Sequence, residues 1–85
     1  MAYKVKFSKD AEKFYNKLST VMRARVDQKL EYLKSTPRGM DSIKMQGMDN
    51  LYRTKVGGYR LVYEIHDEAL LVWVVDLGAR GGIYK

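Results

Sequence analysis

The chain has 85 residues, with sixteen Lys and Arg against ten Asp and Glu, a formal net charge of +6 and no cysteine. That length holds one modest core, so a single domain over residues 1–85 is expected; disulfides and thiolate chemistry are excluded, and the basic balance favours nucleic acid, an anionic membrane surface or an acidic protein as partner. No stretch approaches the roughly 20 apolar residues of a membrane span, and Met1 to Phe7 lacks the apolar core of a signal peptide, which points to a soluble protein of the cytoplasm.

Tyr3, Val5 and Phe7 alternate with Lys4, Lys6 and Ser8, the period of a strand with one buried face. Ser8 can cap a helix that starts near Lys9 and ends around Ser19, with Ala11, Phe14, Tyr15 and Leu18 as its apolar stripe. A longer helix follows Thr20: Met22, Val26, Leu30 and Leu33 recur at helical spacing, and Pro37 ends it. Arg23, Arg25 and Lys29 on that helix read first as a solvated face, and alternatively as a secondary phosphate-contacting surface. Arg38 to Asp49 reads as a loop in which Ile43, Met45 and Met48 tuck under a sheet. Leu51 to Val56, Tyr59 to Ile65 and Ala69 to Leu77 follow as a meander, the last a near-continuous apolar run expected to be a central strand covered on both faces and closed by Gly78. The expected fold is therefore α+β: an N-terminal strand, an antiparallel two-helix hairpin on one face of a mostly antiparallel four-stranded sheet, and a short tail from Ala79 to Lys85.

Gly57 and Gly58 form a two-residue turn between alternating apolar stretches, the signature of a tight β-hairpin. Counting outward pairs Val56 with Tyr59 and Lys55 with Arg60. Because side chains alternate faces, Arg53, Lys55 and Arg60 should share one surface, with no acidic residue between Asn50 and Tyr63 to neutralise them. Like charges facing across a ladder oppose hairpin formation, so the cluster suggests an anionic ligand; the bland alternative is a solvated basic face or salt bridges to Glu64 and Asp76.

The chemistry open to such a chain is narrow. His66 is the only histidine and falls in a turn beside Asp67 and Glu68, where surface decoration is the natural reading, and no Cys, His, Asp or Glu cluster has metal-ligand spacing. Any catalysis must then use Arg, Lys and Tyr, a set suited to metal-free attack on a phosphodiester, with cations stabilising the charge that builds on phosphoryl oxygens. RNA supplies its own nucleophile in the ribose 2′-hydroxyl, so the protein need provide only positioning, charge and proton transfer. Tyr84 is a candidate base: a free phenol titrates at about 10, and neighbouring positive charges lower that value. Tyr59 and Tyr63 read as core or platform residues.

With these residues in view, the chain resembles the RelE branch of the RelE/ParE toxin superfamily over nearly its whole length. The resemblance rests on the helical hairpin ending in Ser-Thr-Pro37, the Lys44-Met-Gln-Gly47 loop, Leu51-Tyr-Arg-Thr-Lys55, Gly58-Tyr-Arg-Leu-Val-Tyr-Glu-Ile65, and Gly78 and Arg80 followed by Tyr84. It implies a type II toxin that enters the ribosomal A site and cleaves messenger RNA there without metal or cofactor, leaving a 2′,3′-cyclic phosphate. It also implies that Arg53 and Lys55 are the basic pair before the hairpin, that Arg60 holds the scissile phosphate, that Tyr84 stacks on the substrate base and takes part in proton transfer, and that Arg80 acts at the leaving oxygen. Since the intrinsic pKa of arginine exceeds about 12, charge stabilisation is the better reading for Arg80, and Lys55 is an alternative for proton transfer. Two departures from the family pattern are Arg at position 53, where Lys is common, and an end at Lys85 without the longer C-terminal extension of other members.

The resemblance further implies a cognate antitoxin, expected to wrap the helices and the basic sheet face with an acidic, amphipathic segment, and a ribosome whose RNA the basic helices can contact. Two other readings compete: a ParE-like inhibitor that binds DNA gyrase without cleaving anything, and a small non-catalytic RNA-binding module.

Overall fold

The computed structural model describes residues 2–39, 41–45, 47 and 50–79. Seven elements follow in order: β1 (Lys4–Phe7), α1 (Lys9–Lys17), α2 (Thr20–Ser35), β2 (Ile43–Lys44), β3 (Leu51–Val56), β4 (Tyr59–His66) and β5 (Leu71–Ala79). The strands form one sheet in the order β1-β5-β4-β3-β2, antiparallel throughout except where β1 lies parallel to β5. Among the described residues no helix is long and apolar enough to cross a membrane.

Local chemistry sets the helix limits. The Ser8 hydroxyl accepts the Ala11 N–H at 3.1 Å and donates to the Val75 carbonyl at 2.6 Å, so one side chain caps α1 and ties it to β5. Asp10 and Glu12 occupy the first turn, where the exposed N–H groups favour negative charge. Leu18 is the C-cap of α1 and is buried, Ser19 caps α2 through Met22 N–H at 3.2 Å, and α2 stops before Pro37. The first helix thus ends two residues before the expected Ser19, because Leu18 turns into the core in an extended conformation.

One face of the sheet carries the core. Val26, Leu30 and Leu33 of α2 and Ala11 of α1 meet Val56, Leu61, Tyr63, Ile65, Val72, Val74 and Leu77 from three strands. Each fully buried aliphatic side chain contributes roughly 1.5–3 kcal/mol of transfer free energy. Tyr63 is the largest of the fully buried residues; its hydroxyl donates to the Pro37 carbonyl at 2.7 Å and shares a second hydrogen bond with Ser42, and burial pushes its pKa up.

Several expectations need correction. The sheet has five strands, not four: Ile43 and Lys44 pair with Arg53 and Tyr52 inside the segment read as a loop, and two residues are too few to show a period. Ile43 therefore does not tuck under the sheet but stands 53 % exposed, Met45 is half-buried, and Met48 lies outside the described residues. The helices do not form a tight pair on their own; α1 rests mainly on β5 while α2 reaches β1 and β3, and Tyr15 of α1 donates to Asp27 of α2 at 2.6 Å. The apolar run of β5 makes an interior strand beside β4, with Val72, Val74 and Leu77 buried and Leu71, Trp73 and Val75 only half-covered on the other side. A bulge at Val75, where the register opposite Val62 and Tyr63 shifts, helps to hide the alternation. Gly78 does not close this strand but pairs with Arg60 within it.

Candidate functional site

The hairpin register is the one expected: Lys55 faces Arg60 and Val56 faces Tyr59, with Arg53 opposite Val62. Val56 and Leu61 point into the core, so the alternation puts Arg53, Lys55 and Arg60 together on the face away from the helices. Gly57 makes the turn possible with φ +59°, a conformation that costs other residues roughly 1–2 kcal/mol; Gly58 has no such requirement. Glycine freedom is thus needed at the first turn position only.

This face extends across β5. Arg60 pairs with Gly78, and Val62 lies between Arg53 on one side and Asp76 on the other. Gly78 contributes no side chain beside Arg60 on β5 and is itself buried, as is Val62 at 1 % exposure. Among the described residues neither acid on this face forms an ion pair with the cluster. Glu64 pairs with His66 at 2.8 Å, and the Asp76 carboxylate accepts the Leu77 N–H at 2.8 Å. Among the described residues no ion pair involves Arg53, Lys55 or Arg60. His66 is therefore the last residue of β4, paired with Glu64, and not a free turn residue.

Beside Arg53 the short β2 opens a hollow of about 670 Å³ lined by Ile43, Lys44, Met45, Gly47 and Arg53. Ile43 and Arg53 are cross-strand partners and hence share a face, which joins an apolar wall to the cation cluster. Reading the sequence missed this hollow because β2 itself was missed; the exposed isoleucine two residues before Met45 was its only trace. Of the site residues expected from the sequence, Arg53, Lys55 and Arg60 are brought together, whereas Arg80 and Tyr84 lie outside the described residues. The last described residue, Ala79, pairs with Tyr59, one position from the Arg60 and Gly78 pair.

Such a surface can bind and polarise a phosphodiester: three cations of fixed register suit an anionic backbone laid over the sheet. It offers no metal-ligand set, since among the described residues no three His, Cys, Asp or Glu side chains gather in ligand range.

Comparison with known proteins agrees with this geometry. The family described as the ParE toxin of type II toxin–antitoxin system, parDE, matches residues 2–84. The mRNA interferase toxin RelE of Escherichia coli K12 is 37 % identical over 82 residues, covering 94 % of this chain and 85 % of its own, and the mRNA interferase RelE of Shigella flexneri matches to the same extent. The fold superposes on that of an E. coli RelE mutant in the free state with a TM-score of 0.84 at 35 % identity, over 95 % of this chain and 86 % of the other. The toxin chain of the intact E. coli RelBE toxin–antitoxin complex gives 0.82 at 35 % identity, over 92 % and 96 %. For the archaeal RelE–RelB complex of Pyrococcus horikoshii the TM-score is 0.82 at 27 % identity, over 98 % and 100 %. The unpartnered cations of the hairpin, the two helices behind them and these likenesses over the whole fold have one common explanation: the chain belongs to the RelE branch of the RelE/ParE superfamily of type II toxins.

Proposed function

We propose that this protein is a ribosome-dependent mRNA endoribonuclease, a single toxin domain over residues 1–85 that cleaves the message in the ribosomal A site and is neutralised in the cytoplasm by a cognate antitoxin. The observation that carries the reading is the convergence of Arg53, Lys55 and Arg60 on one face with no counter-ion among the described residues, in a chain that shares 37 % identity with proteins named mRNA interferases. Solved relatives held in toxin–antitoxin complexes support the partner.

In this reading Arg53 and Lys55 bind the message backbone and Arg60 holds the scissile phosphate. The 2′-oxygen attacks the adjacent phosphorus, its proton passes to Tyr84 as the phenolate, or to Lys55 as the neutral amine in place of its charge-stabilising role, and the P–O5′ bond breaks to leave a 2′,3′-cyclic phosphate. Lys55 and Arg60 stabilise the negative charge that develops on the phosphoryl oxygens, an effect worth about 10²–10³ in rate per well-placed donor. Arg80 stabilises the leaving 5′-oxygen, which takes up a proton. The bases on either side need only be held in line, which an ordered codon in a ribosome already provides.

The test adds purified protein to ribosomes programmed with a defined message and maps new 3′ ends by primer extension. Cleavage within the A-site codon that requires the ribosome and falls about 10²-fold or more in Arg80→Ala and Tyr84→Phe supports the assignment. The match to a ParE family profile keeps one other outcome in view. An intact message sinks the nuclease reading and leaves inhibition by binding, to gyrase or to RNA, as the activity to pursue.

A further inference from the structure

The fold sorts the cations of α2 into different situations. Lys29 is held by Asp41 at 3.3 Å, lies over the Tyr32 ring at 5.6 Å from its centre, and its side chain is only 17 % exposed. Arg25 is exposed and has no ion pair or side-chain hydrogen bond among the described residues. It also sits at the tip of the β3–β4 hairpin: a methyl group built on Gly57 would fall 3.3 Å from the Arg25 Nη1 and 3.0 Å from Met22 Cε. Met22 thus closes the apolar gap between helix and turn, and the guanidinium lies beside Gly57.

We infer that Arg25 is a further RNA-positioning residue, the fourth cation of the hairpin site, which carries the ribose-phosphate backbone around the bare Gly57-Gly58 tip from the sheet face to α2. Lys55 and Arg60 each stand two residues from the turn glycines on their strands, and Arg25 meets the same turn from the helix side at Gly57. A bare tip lets a backbone approach closely, since nothing lies within 4 Å of a side chain added at Gly58. Arginine suits the position because its planar fork bonds two phosphate oxygens at once. The inference rests on the RNA reading of this face. The phosphates belong either to the message or to ribosomal RNA, and the two sources are separable.

The test measures binding of an uncleavable 2′-O-methyl RNA oligonucleotide and of vacant ribosomes over a range of salt, for wild type, Arg25→Gln, Arg25→Lys, Arg60→Ala and Lys34→Gln. Lys34 is the same-helix control, already paired with Glu31 at 2.7 Å. Arg25→Gln is expected to weaken binding roughly three- to tenfold and to lower the slope of log K against log salt by about 0.7, as for one lost phosphate contact. Arg25→Lys should recover the slope and only part of the affinity, and Lys34→Gln should leave both near wild type. In the cleavage assay Arg25→Gln should raise KM and keep kcat, since Arg25 does not touch the reacting phosphate. A loss with the oligonucleotide assigns Arg25 to the message; a loss with ribosomes alone assigns it to ribosomal RNA. If Arg60→Ala lowers affinity and slope while Arg25→Gln lowers neither with either ligand, the assignment of Arg25 is overturned. If Arg60→Ala also changes nothing, the RNA reading of the whole face fails with it.

Discussion

Arg38 and Arg60 belong to the same small domain and are treated in opposite ways. Arg38, just after α2, makes a bidentate pair with Asp67 in the β4–β5 turn at 2.8 and 3.1 Å, bonds the Tyr52 hydroxyl at 3.2 Å and lies over that ring. Tyr3 donates to the same carboxylate at 2.7 Å, so the start of the chain, the loop after α2 and the far turn are joined through one acid. The Arg38 and Tyr3 hydrogen bonds hold the Asp67 carboxyl down to about 2, and Arg38 in turn is held more firmly protonated by Asp67. At the hairpin, three cations stand in fixed register with no such partner among the described residues. A charge given a counter-ion in the fold serves stability, while a charge aligned with others of its own sign opposes stability and serves a ligand.

The largest effect should come from emptying the hairpin cluster. Arg60→Ala is expected to reduce message cleavage by about 10²-fold or more while leaving the melting temperature unchanged or slightly raised, because it removes a like-charge pair with Lys55. A fall in both activity and melting temperature would show that Arg60 is held by the fold after all, and would break the contrast. Next, Gly57→Ala should cost about 1–2 kcal/mol in chemical denaturation, because φ is +59° there and Met22 Cε stands 3.0 Å from the added carbon. Gly58→Ala, with open space around it, should stay within about 0.5 kcal/mol of wild type. Equal losses at the two glycines would mean that the turn is not the one described.

The smallest effect belongs to the paired corner. Arg38→Met should lower the melting temperature by a few degrees at most, given how exposed the pair is, and leave cleavage intact. The sign of its pH dependence is fixed by Asp67. A carboxyl whose folded pKa lies below its unfolded value stabilises the fold above about pH 4 and loses that contribution as the pH falls toward 2. Melting curves of wild type and Asp67→Asn should therefore differ at pH 6 and converge near pH 2. A constant gap across that range would remove the ion pair from the account of this corner.

Much of this was legible from local pattern. Ser8 and Pro37 marked helix limits, and β3 appeared residue for residue because a glycine turn fixes register in both directions. The grouping of Arg53, Lys55 and Arg60 followed from the same counting. What stayed hidden depends on contacts far apart in sequence. The parallel pairing of Lys4–Phe7 with Leu71–Val74 leaves no mark on either segment, the bulge at Val75 reads as one more valine, and β2 is too short to show a period. Arg25 looked like its neighbours on a solvated helix until packing set it beside Gly57, and Asp67 looked like a turn residue until Arg38 and Tyr3 reached it. Arg80 and Tyr84 lie beyond the last described residue, so their roles rest on the family resemblance.

The placement of β1 has a consequence for how the protein comes into being. Among the described residues its only strand partner is β5, and Ser8 bonds a carbonyl at Val75, 67 residues later. During synthesis the first strand and the cap of α1 must wait without their partners while the helices and the β3–β4 hairpin, built from near neighbours, can already form. The sheet closes only once residues 71–79 have left the exit tunnel, so β1 stays unpaired long after the helices that separate it from β5 in sequence have emerged.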